Sequence, residues 1–210
     1  MLTTPGARAE ASDVRELVSA TAFRCVAPDP RRTTAVKEAS SEQTPYGRYI
    51  TSDGWFVLNL GDALAVRHDA MGAVYPLESR EHMFRDFGVN IRILLPGVPN
   101  ARYHSETGQE GFLVLAGECT LVVEDEERLL RQWDYFHCPG TTAHVFVGAG
   151  DGPCAILMIG LRPEEETLHY PVSEVAARYG ASVATETDDP DEAYADWAGE
   201  YEPVRLPWPP

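Results

Sequence analysis

Four residues with side chains of metal-ligand type suggest a shared chemical site. His104, Glu106 and Glu110 lie within one short segment, and His144 opens an apolar run further along the chain. Side chains two apart on an extended strand point to the same face, so His104 and Glu106 are expected to project together. Two imidazoles and two carboxylates converging on a barrel interior could bind a divalent metal and leave room for water or substrate.

The elements that must position these residues are short β-rich runs with turn residues between them. The runs are Trp55–Leu60, Ala63–His68, Gly88–Leu95, Phe112–Ala116, Thr120–Val123, Tyr135–Cys138, His144–Val147 and Cys154–Ile159. The acidic stretch Glu124–Glu127 and the pair Pro139–Gly140 indicate turns. Because no helical pattern separates these runs, they favour an antiparallel barrel or sandwich.

The flanking segments differ in composition from this region. Residues 1–48 form a polar N-terminal extension with one helix expected over Ala11–Ala20. Residues 49–163 form the β-barrel, and residues 164–210 form a C-terminal helix, capped by Ser173, followed by an acidic tail rich in Pro and aromatic residues. The aromatic residues of the tail favour docking on its own barrel or on a partner subunit, and the alternative is a free, solvated tail.

Charge and hydropathy exclude two classes of partner. The 210 residues include 17 Lys and Arg against 33 Asp and Glu, a formal charge of −16, which is opposite to what binding to phosphate backbones needs. No apolar run approaches the ~20 residues of a membrane helix, and no signal peptide is visible. We therefore expect a soluble, cytoplasmic protein that binds a small molecule, with no nucleic-acid or membrane partner.

The spacing of the candidate ligands resembles the two motifs of the cupins. The series Gly97…His104-x-Glu106-x3-Glu110-x6-Gly117 is similar to the first motif, G-x5-HxH-x3–4-E-x6-G. The pair Pro139-x4-His144 is similar to the second motif, G-x5-PxG-x2-H-x3-N. The resemblance covers residues 55–162, and Glu106 stands where the family usually has its second histidine.

The resemblance implies an all-β fold, a double-stranded β-helix (jelly-roll) barrel with short helical or irregular extensions at both termini. It also implies a divalent metal (Zn, Fe, Mn or Ni) held by His104, Glu110 and His144, with Glu106 at the exchanged position, and a homodimer. Two carboxylates would neutralise the ion and make it a weaker Lewis acid than a three-histidine site. Glu106 could also act as a base.

The remaining candidates have weaker support. Phe112 and Phe146 share strand faces with Glu110 and His144 and could line a pocket, although core packing explains them equally well. His137 is expected to be a further wall residue of that pocket and a spare candidate ligand. Cys25, Cys119, Cys138 and Cys154 share no short spacing and are expected to be core residues.

Three functions remain open from the sequence. The chain could be a metal-dependent enzyme on a small organic molecule, of oxygenase or of isomerase or lyase type. It could instead be a non-catalytic cupin that binds a small molecule or a structural metal. A third possibility is an assembly protein whose aromatic, proline-rich termini exchange with a partner subunit. Elemental analysis of the purified protein shows whether a metal is bound, and so distinguishes a metal-binding protein from a β-protein that lacks a metal site.

Overall fold

The fold consists almost entirely of antiparallel strands. The computed structural model describes residues 35–79, 81–197 and 199–210. The strands are β1 (Ser41–Thr44), β2 (Gly47–Ile50), β3 (Ala65–His68), β4 (Gly72–Pro76), β5 (Phe87–Leu94), β6 (Ser105–Glu106), β7 (Glu110–Ala116), β8 (Glu118–Val123), β9 (Glu126–Arg131), β10 (Tyr135–Cys138), β11 (His144–Ala149), β12 (Cys154–Leu161), β13 (Leu168–His169) and β14 (Glu202–Val204). Two short helices follow β13, α1 (Glu174–Ala177) and α2 (Pro190–Ala193).

Two sheets carry the fold. The larger has the strand order β10-β7-β12-β5-β4-β3-β14, and the smaller has the order β11-β8-β9. Isolated bridges from Pro96, Pro99 and His104 to β11 extend the smaller sheet along its free edge. Strands consecutive in sequence thus pass between the two sheets, which is the double-stranded β-helix arrangement expected from the sequence. Among the described residues, no helix is long and apolar enough to cross a membrane.

The main core lies between the inner faces of the two sheets. Its buried side chains come from alternate positions of β5, β7, β8, β10, β11 and β12, because successive strand residues point to opposite faces. They are Leu94, Phe112, Val114, Cys119, Leu121, Cys138, Phe146, Cys154, Ile156 and Met158. The predicted packing role of cysteines is confirmed for Cys119, Cys138 and Cys154, and Cys25 lies outside the described residues.

Tight turns set the register of the smaller sheet. Gly117 has a φ of +70°, and a Cβ atom there would lie 2.4 Å from the carbonyl oxygen of Pro153, so only glycine fits between β7 and β8. The turn from β8 to β9 uses Glu124 and Asp125, both at positive φ. Strand β9 begins directly afterwards at Glu126, so the acidic turn is shorter than the sequence predicted.

The C-terminal segment packs on the same unit through buried polar and aromatic contacts. The guanidinium of Arg102 donates to the carbonyl oxygens of Gly180 at 2.8 Å and Ala193 at 3.0 Å. It also pairs with Asp196 and lies 4.1 Å from the ring centroid of Trp197. The docking surface that the tail aromatics predicted is therefore on the chain itself.

One predicted strand is wrong. Trp55–Leu60 is extended, but it pairs only through a single bridge from Trp55 to Glu38. The Asn59 side chain accepts a hydrogen bond from the Gly61 amide at 2.9 Å and turns the chain into a 3₁₀ helix, Leu60–Asp62. The helix predicted over Ala11–Ala20 lies outside the described residues, while the one capped by Ser173 is present as α1.

Candidate metal site

Strand register brings the candidate ligands to one end of the core. Glu110 on β7 and Cys138 on β10 are directly paired across the larger sheet. His144, the first residue of β11, approaches from the smaller sheet and forms a bridge with His104. The His104 and His144 ring centroids are 5.2 Å apart. Residues distant in sequence thus meet because the two sheets close on each other at this end.

Both imidazoles are held by the backbone through Nδ1. His104 Nδ1 lies 2.7 Å from the Arg102 carbonyl oxygen, and His144 Nδ1 lies 3.1 Å from the Thr142 carbonyl oxygen. A carbonyl only accepts, so each Nδ1 carries the proton and donates it. Each Nε2 is therefore left with a lone pair, which is the tautomer that metal-binding histidines use.

Glu110 and His144 face each other through two acceptor atoms. Glu110 Oε2 lies 3.3 Å from His144 Nε2, and it has no hydrogen-bond partner although it is buried. Two lone pairs at this separation repel each other unless a proton or a metal cation lies between them. Two neighbouring ligands about 2.1 Å from a common ion have a similar separation.

The site strongly perturbs these ionisations. Burial raises the pKa of Glu110 to about 8, helped by the negative charges of Glu106 and Glu166. Burial raises the pKa of Glu106 to about 7, with a further contribution from Glu166. Burial, followed by the neighbouring charge of His104, lowers the pKa of His144 to about 3. Burial thus favours neutral imidazoles, which is the form that binds a metal, and a cation beside the two carboxyls would lower their pKa values.

Glu106 lies beside Glu110 across a glycine. A Cβ atom built on Gly160 would be 3.7 Å from Oε1 of Glu106 and 3.7 Å from Oε1 of Glu110. A cavity of about 190 Å³ opens here, lined in part by Asn90, Glu106, Glu110, Gly160 and Glu166. Both carboxylates therefore face one small polar cavity, and Glu166 lies at the same cavity although the sequence analysis did not identify it.

One further potential ligand emerges from the geometry. Glu110, Cys138 and His144 each offer one ligand atom within 4.8 Å of the others, whereas His104 and Glu106 are outside this group. The Cys138 thiol lies 3.5 Å from His144 Nδ1, on the opposite side of the ring from Nε2. The ligand set of His104, Glu106, Glu110 and His144 therefore stays a prediction. Cys138 is a further candidate, on the Nδ1 side of the His144 ring. The sequence gives no signal for Cys138 as a ligand. It becomes a candidate only because β10 pairs it with Glu110 on β7.

The predicted pocket residues divide into two groups. Phe112 and Phe146 are buried in the core, with ring centroids 5.1 Å and 6.1 Å from that of His144. Together with Phe136 they form an aromatic wall that keeps water from one side of the imidazole. His137 is exposed on the outer face of β10, so the structure does not bring it to this cluster.

The residues present fit a divalent cation. An orphaned buried carboxylate oxygen faces an imidazole lone pair, and a second imidazole with a fixed Nδ1 proton lies next to it. Mixed nitrogen and carboxylate donors suit Zn²⁺, Fe²⁺, Mn²⁺ or Ni²⁺. A cation there would satisfy the orphaned oxygen and offset the charges that raise the two glutamate pKa values.

Comparison with known proteins shows what the chain is similar to. Residues 90–160 match the family model described as Cupin domain. No functionally curated protein matches the chain. Among solved structures, a sugar phosphate isomerase of the cupin superfamily from Silicibacter pomeroyi is 27% identical, with 47% of this chain and 64% of that chain covered and a TM-score of 0.43. The chain thus spans less than two thirds of that protein.

Two further solved structures are similar over part of their length. The polyketide cyclase RemF from Streptomyces resistomycificus is 16% identical, with 53% of this chain and 83% of that chain covered and a TM-score of 0.46. An RmlC-like cupin family protein with a double-stranded β-helix fold from Methanocaldococcus jannaschii is 14% identical, with 38% and 72% covered and a TM-score of 0.35.

Proposed function

We propose that this chain, a member of the cupin superfamily through residues 90–160, is a metal-dependent enzyme that acts on a small polar organic molecule. The observation that carries the proposal is the contact between Glu110 Oε2 and His144 Nε2, two buried acceptors 3.3 Å apart. Without a cation these two acceptors are satisfied only if they share the Glu110 proton, whereas a site that merely filled a core would have an apolar pair.

His104, Glu110 and His144 are the residues that would hold the ion. The carbonyl oxygens of Arg102 and Thr142 keep the two imidazoles in the tautomer that leaves Nε2 free. The aromatic wall beside His144 fixes its ring and excludes water. A bound divalent cation would supply Lewis acidity toward substrate oxygens, or a coordination position for O₂.

Glu106 is placed for proton transfer. Its carboxylate faces the cavity beside Glu110 but lies outside the group of ligand atoms within 4.8 Å. A carboxyl with a pKa of about 7 changes protonation state near neutral pH, which suits a general acid or base. This arrangement favours isomerase or lyase chemistry, in which Glu106 removes a proton from a carbon next to a polarised carbonyl. Oxygenase chemistry is the other reaction type that this donor set supports.

A non-catalytic role is the alternative. His144 is 1% exposed, and the cavity that Glu110 lines is small, so an ion here could also serve mainly to join the two sheets. In that case removal of the metal would lower stability without abolishing any turnover.

Elemental analysis tests the proposal directly. We expect untagged wild-type protein to hold about one divalent metal per chain, and the variants H144A and E110Q to lose it. The variant E106Q separates two roles, because it keeps the metal if Glu106 is a base and loses it if Glu106 is a ligand. The exposed Glu81 provides a matched control, E81Q. Equal metal content in all five proteins would overturn the proposal.

We also propose that the protein acts in the cytoplasm as a homodimer. The outer face of the larger sheet exposes several large apolar side chains, with Tyr135 64% and Leu161 48% accessible, and the turn before β10 exposes Trp133. Apolar surface of this kind is often covered by another subunit. Light scattering of the purified protein should give twice the 23.2 kDa chain mass, and a monomer at all concentrations would contradict this.

A further inference from the structure

Strand β5 carries two buried polar atoms that no protein group satisfies. Among the described residues, three buried side-chain nitrogen or oxygen atoms lack a hydrogen-bond partner, and one is Glu110 Oε2 in the candidate metal site. The other two are Asn90 Oδ1 and Arg92 Nε. An unsatisfied buried polar atom costs about 1–3 kcal/mol, so two such atoms on one strand need an explanation. A polar ligand that binds both atoms would satisfy them.

Both side chains point to the interior. Asn90 is paired with Met158, and Arg92 is paired with Ile156, across the contact between β5 and β12. Directly paired residues of antiparallel strands share a face, and Met158 and Ile156 belong to the core between the two sheets. Asn90 lines the cavity that Glu106 and Glu110 also line. Asn90 therefore lies beside the two glutamates of the candidate metal site.

Arg92 is a cation without an anion. Its Nη1 atom has two long neutral contacts, 3.4 Å to the Tyr201 hydroxyl and 3.5 Å to the Met71 carbonyl oxygen. No carboxylate of the described residues forms an ion pair with it, although the chain has 33 acidic residues. Arg102 and Arg162, in contrast, are paired with Asp196 and Glu78. A half-buried guanidinium with an unsatisfied Nε is suited to bind an anionic group from outside.

We propose that the inner face of β5 binds the substrate, and that this substrate carries a hydroxyl group next to an anionic group. Asn90 Oδ1 accepts a hydrogen bond from the hydroxyl, and Arg92 binds the carboxylate or phosphate oxygens. Residues two apart on a strand have Cα atoms about 7 Å apart, so one short molecule can reach both. The inference rests on the proposed function because it places this molecule beside the candidate metal.

The size and charge of the site agree with this class. The cavity of about 190 Å³ is smaller than the roughly 300–1,000 Å³ of pockets for drug-sized ligands. Three glutamates line it in part, and so does Arg162, which is already paired with Glu78. An anionic molecule therefore needs a further cation, and Arg92 lies two residues from Asn90 on the same face of β5. The substrate is therefore a small hydroxycarboxylate or a small phosphorylated polyol.

Calorimetric titration with two matched pairs of probes tests the inference. L-malate and succinate differ by one hydroxyl, and glycerol 3-phosphate and glycerol differ by the phosphate. We expect metal-loaded wild-type protein to bind L-malate or glycerol 3-phosphate at least tenfold more tightly than its matched partner. Which of the two binds more tightly identifies a carboxylate or a phosphate. If neither anion binds more tightly than its matched partner, the inference is wrong.

Three variants assign the contacts. R92Q should weaken binding of the anion by roughly ten- to hundredfold, and R92K should restore part of it, because lysine keeps the charge and loses the planar fork. N90A should reduce the preference for L-malate over succinate. R85Q removes the same charge at a side chain that is 95% exposed and should change nothing. Equal effects of R92Q and R85Q would overturn the assignment of Arg92.

Metal content measured on the same samples separates this inference from the proposed function. If wild-type protein holds no metal and still binds an anion in an Arg92-dependent manner, the β5 site stands and the metal site fails. If it holds metal and binds no anion, the metal site stands and the β5 site fails. Titrations of chelator-treated protein and melting temperatures of all variants control for direct coordination and for misfolding.

Discussion

Replacing Glu110 by glutamine removes a buried carboxyl group that has, among the described residues, no cation or hydrogen-bond donor beside its Oε2 atom. Glutamine has nearly the same size and remains uncharged, so it imitates the protonated form of Glu110. In the absence of metal the wild-type carboxyl has a pKa of about 8, compared with 4.5 in the unfolded chain. The folded state therefore binds this proton more tightly than the unfolded state does. The stability that the protonated Glu110 contributes to the folded state is fully present below pH 4.5 and is lost as the pH rises through 8.

The magnitude follows from the pKa difference. A shift from 4.5 to about 8 corresponds to up to about 5 kcal/mol at 1.36 kcal/mol per pKa unit. At pH 8.5 we therefore expect chelator-treated E110Q to be about 4–5 kcal/mol more stable than chelator-treated wild type, and at pH 4.5 about equally stable. The lowered pKa values of His104 and His144 reduce stability as the pH falls below 6.5, but they do so in both proteins.

Urea unfolding at half-unit pH steps measures this difference, with and without added metal. Added metal should stabilise wild type at pH 8.5 and leave E110Q unchanged, so the difference in stability between the two proteins should shrink. The exposed E81Q variant should follow wild type throughout. The reasoning is refuted if the difference between chelator-treated E110Q and wild type does not grow with pH, because Glu110 would then ionise freely in the folded protein.

Two further predictions concern the scaffold around the site. G117A should lose about 2–4 kcal/mol of stability, because its Cβ would lie 2.4 Å from the Pro153 carbonyl oxygen. G150A has a similar φ, but it meets only the flexible Glu118 side chain at 3.0 Å, so it should lose about 1 kcal/mol, and equal losses in urea unfolding would contradict the steric argument. R102Q should cost about 2–4 kcal/mol and expose the segment after Tyr170 to limited proteolysis, because Arg102 is 3% exposed and its loss leaves several carbonyl oxygens of this segment without a donor. R128Q, at an exposed arginine, is the control, and equal cleavage rates would show that Arg102 does not hold the segment.

The local pattern of apolar residues predicts most of the strands correctly. It fails where strand formation depends on pairing with another strand. Strands β5, β7, β8, β10, β11 and β12 follow predicted runs to within a few residues. Trp55–Leu60 has the same apolar character but no partner strand among the described residues, so its backbone stays extended and largely unpaired. Strand β9 was missed, because its exposed charged residues show no alternation. It exists because it pairs with β8 along the whole strand.

The sequence alone identified the candidate metal ligands. Their residue types and their spacing along one strand are local properties that can be read without the fold. The resemblance to the first cupin motif places Glu106 where that family usually has a histidine. Only the tertiary structure decided which atoms meet. The register between β7 and β10 puts Cys138 opposite Glu110, and the contact between β5 and β12 turns Asn90 and Arg92 inward. Such pairings join strands far apart in the chain, and the burial that shifts the pKa values of Glu110 and His144 arises only when both sheets are in place.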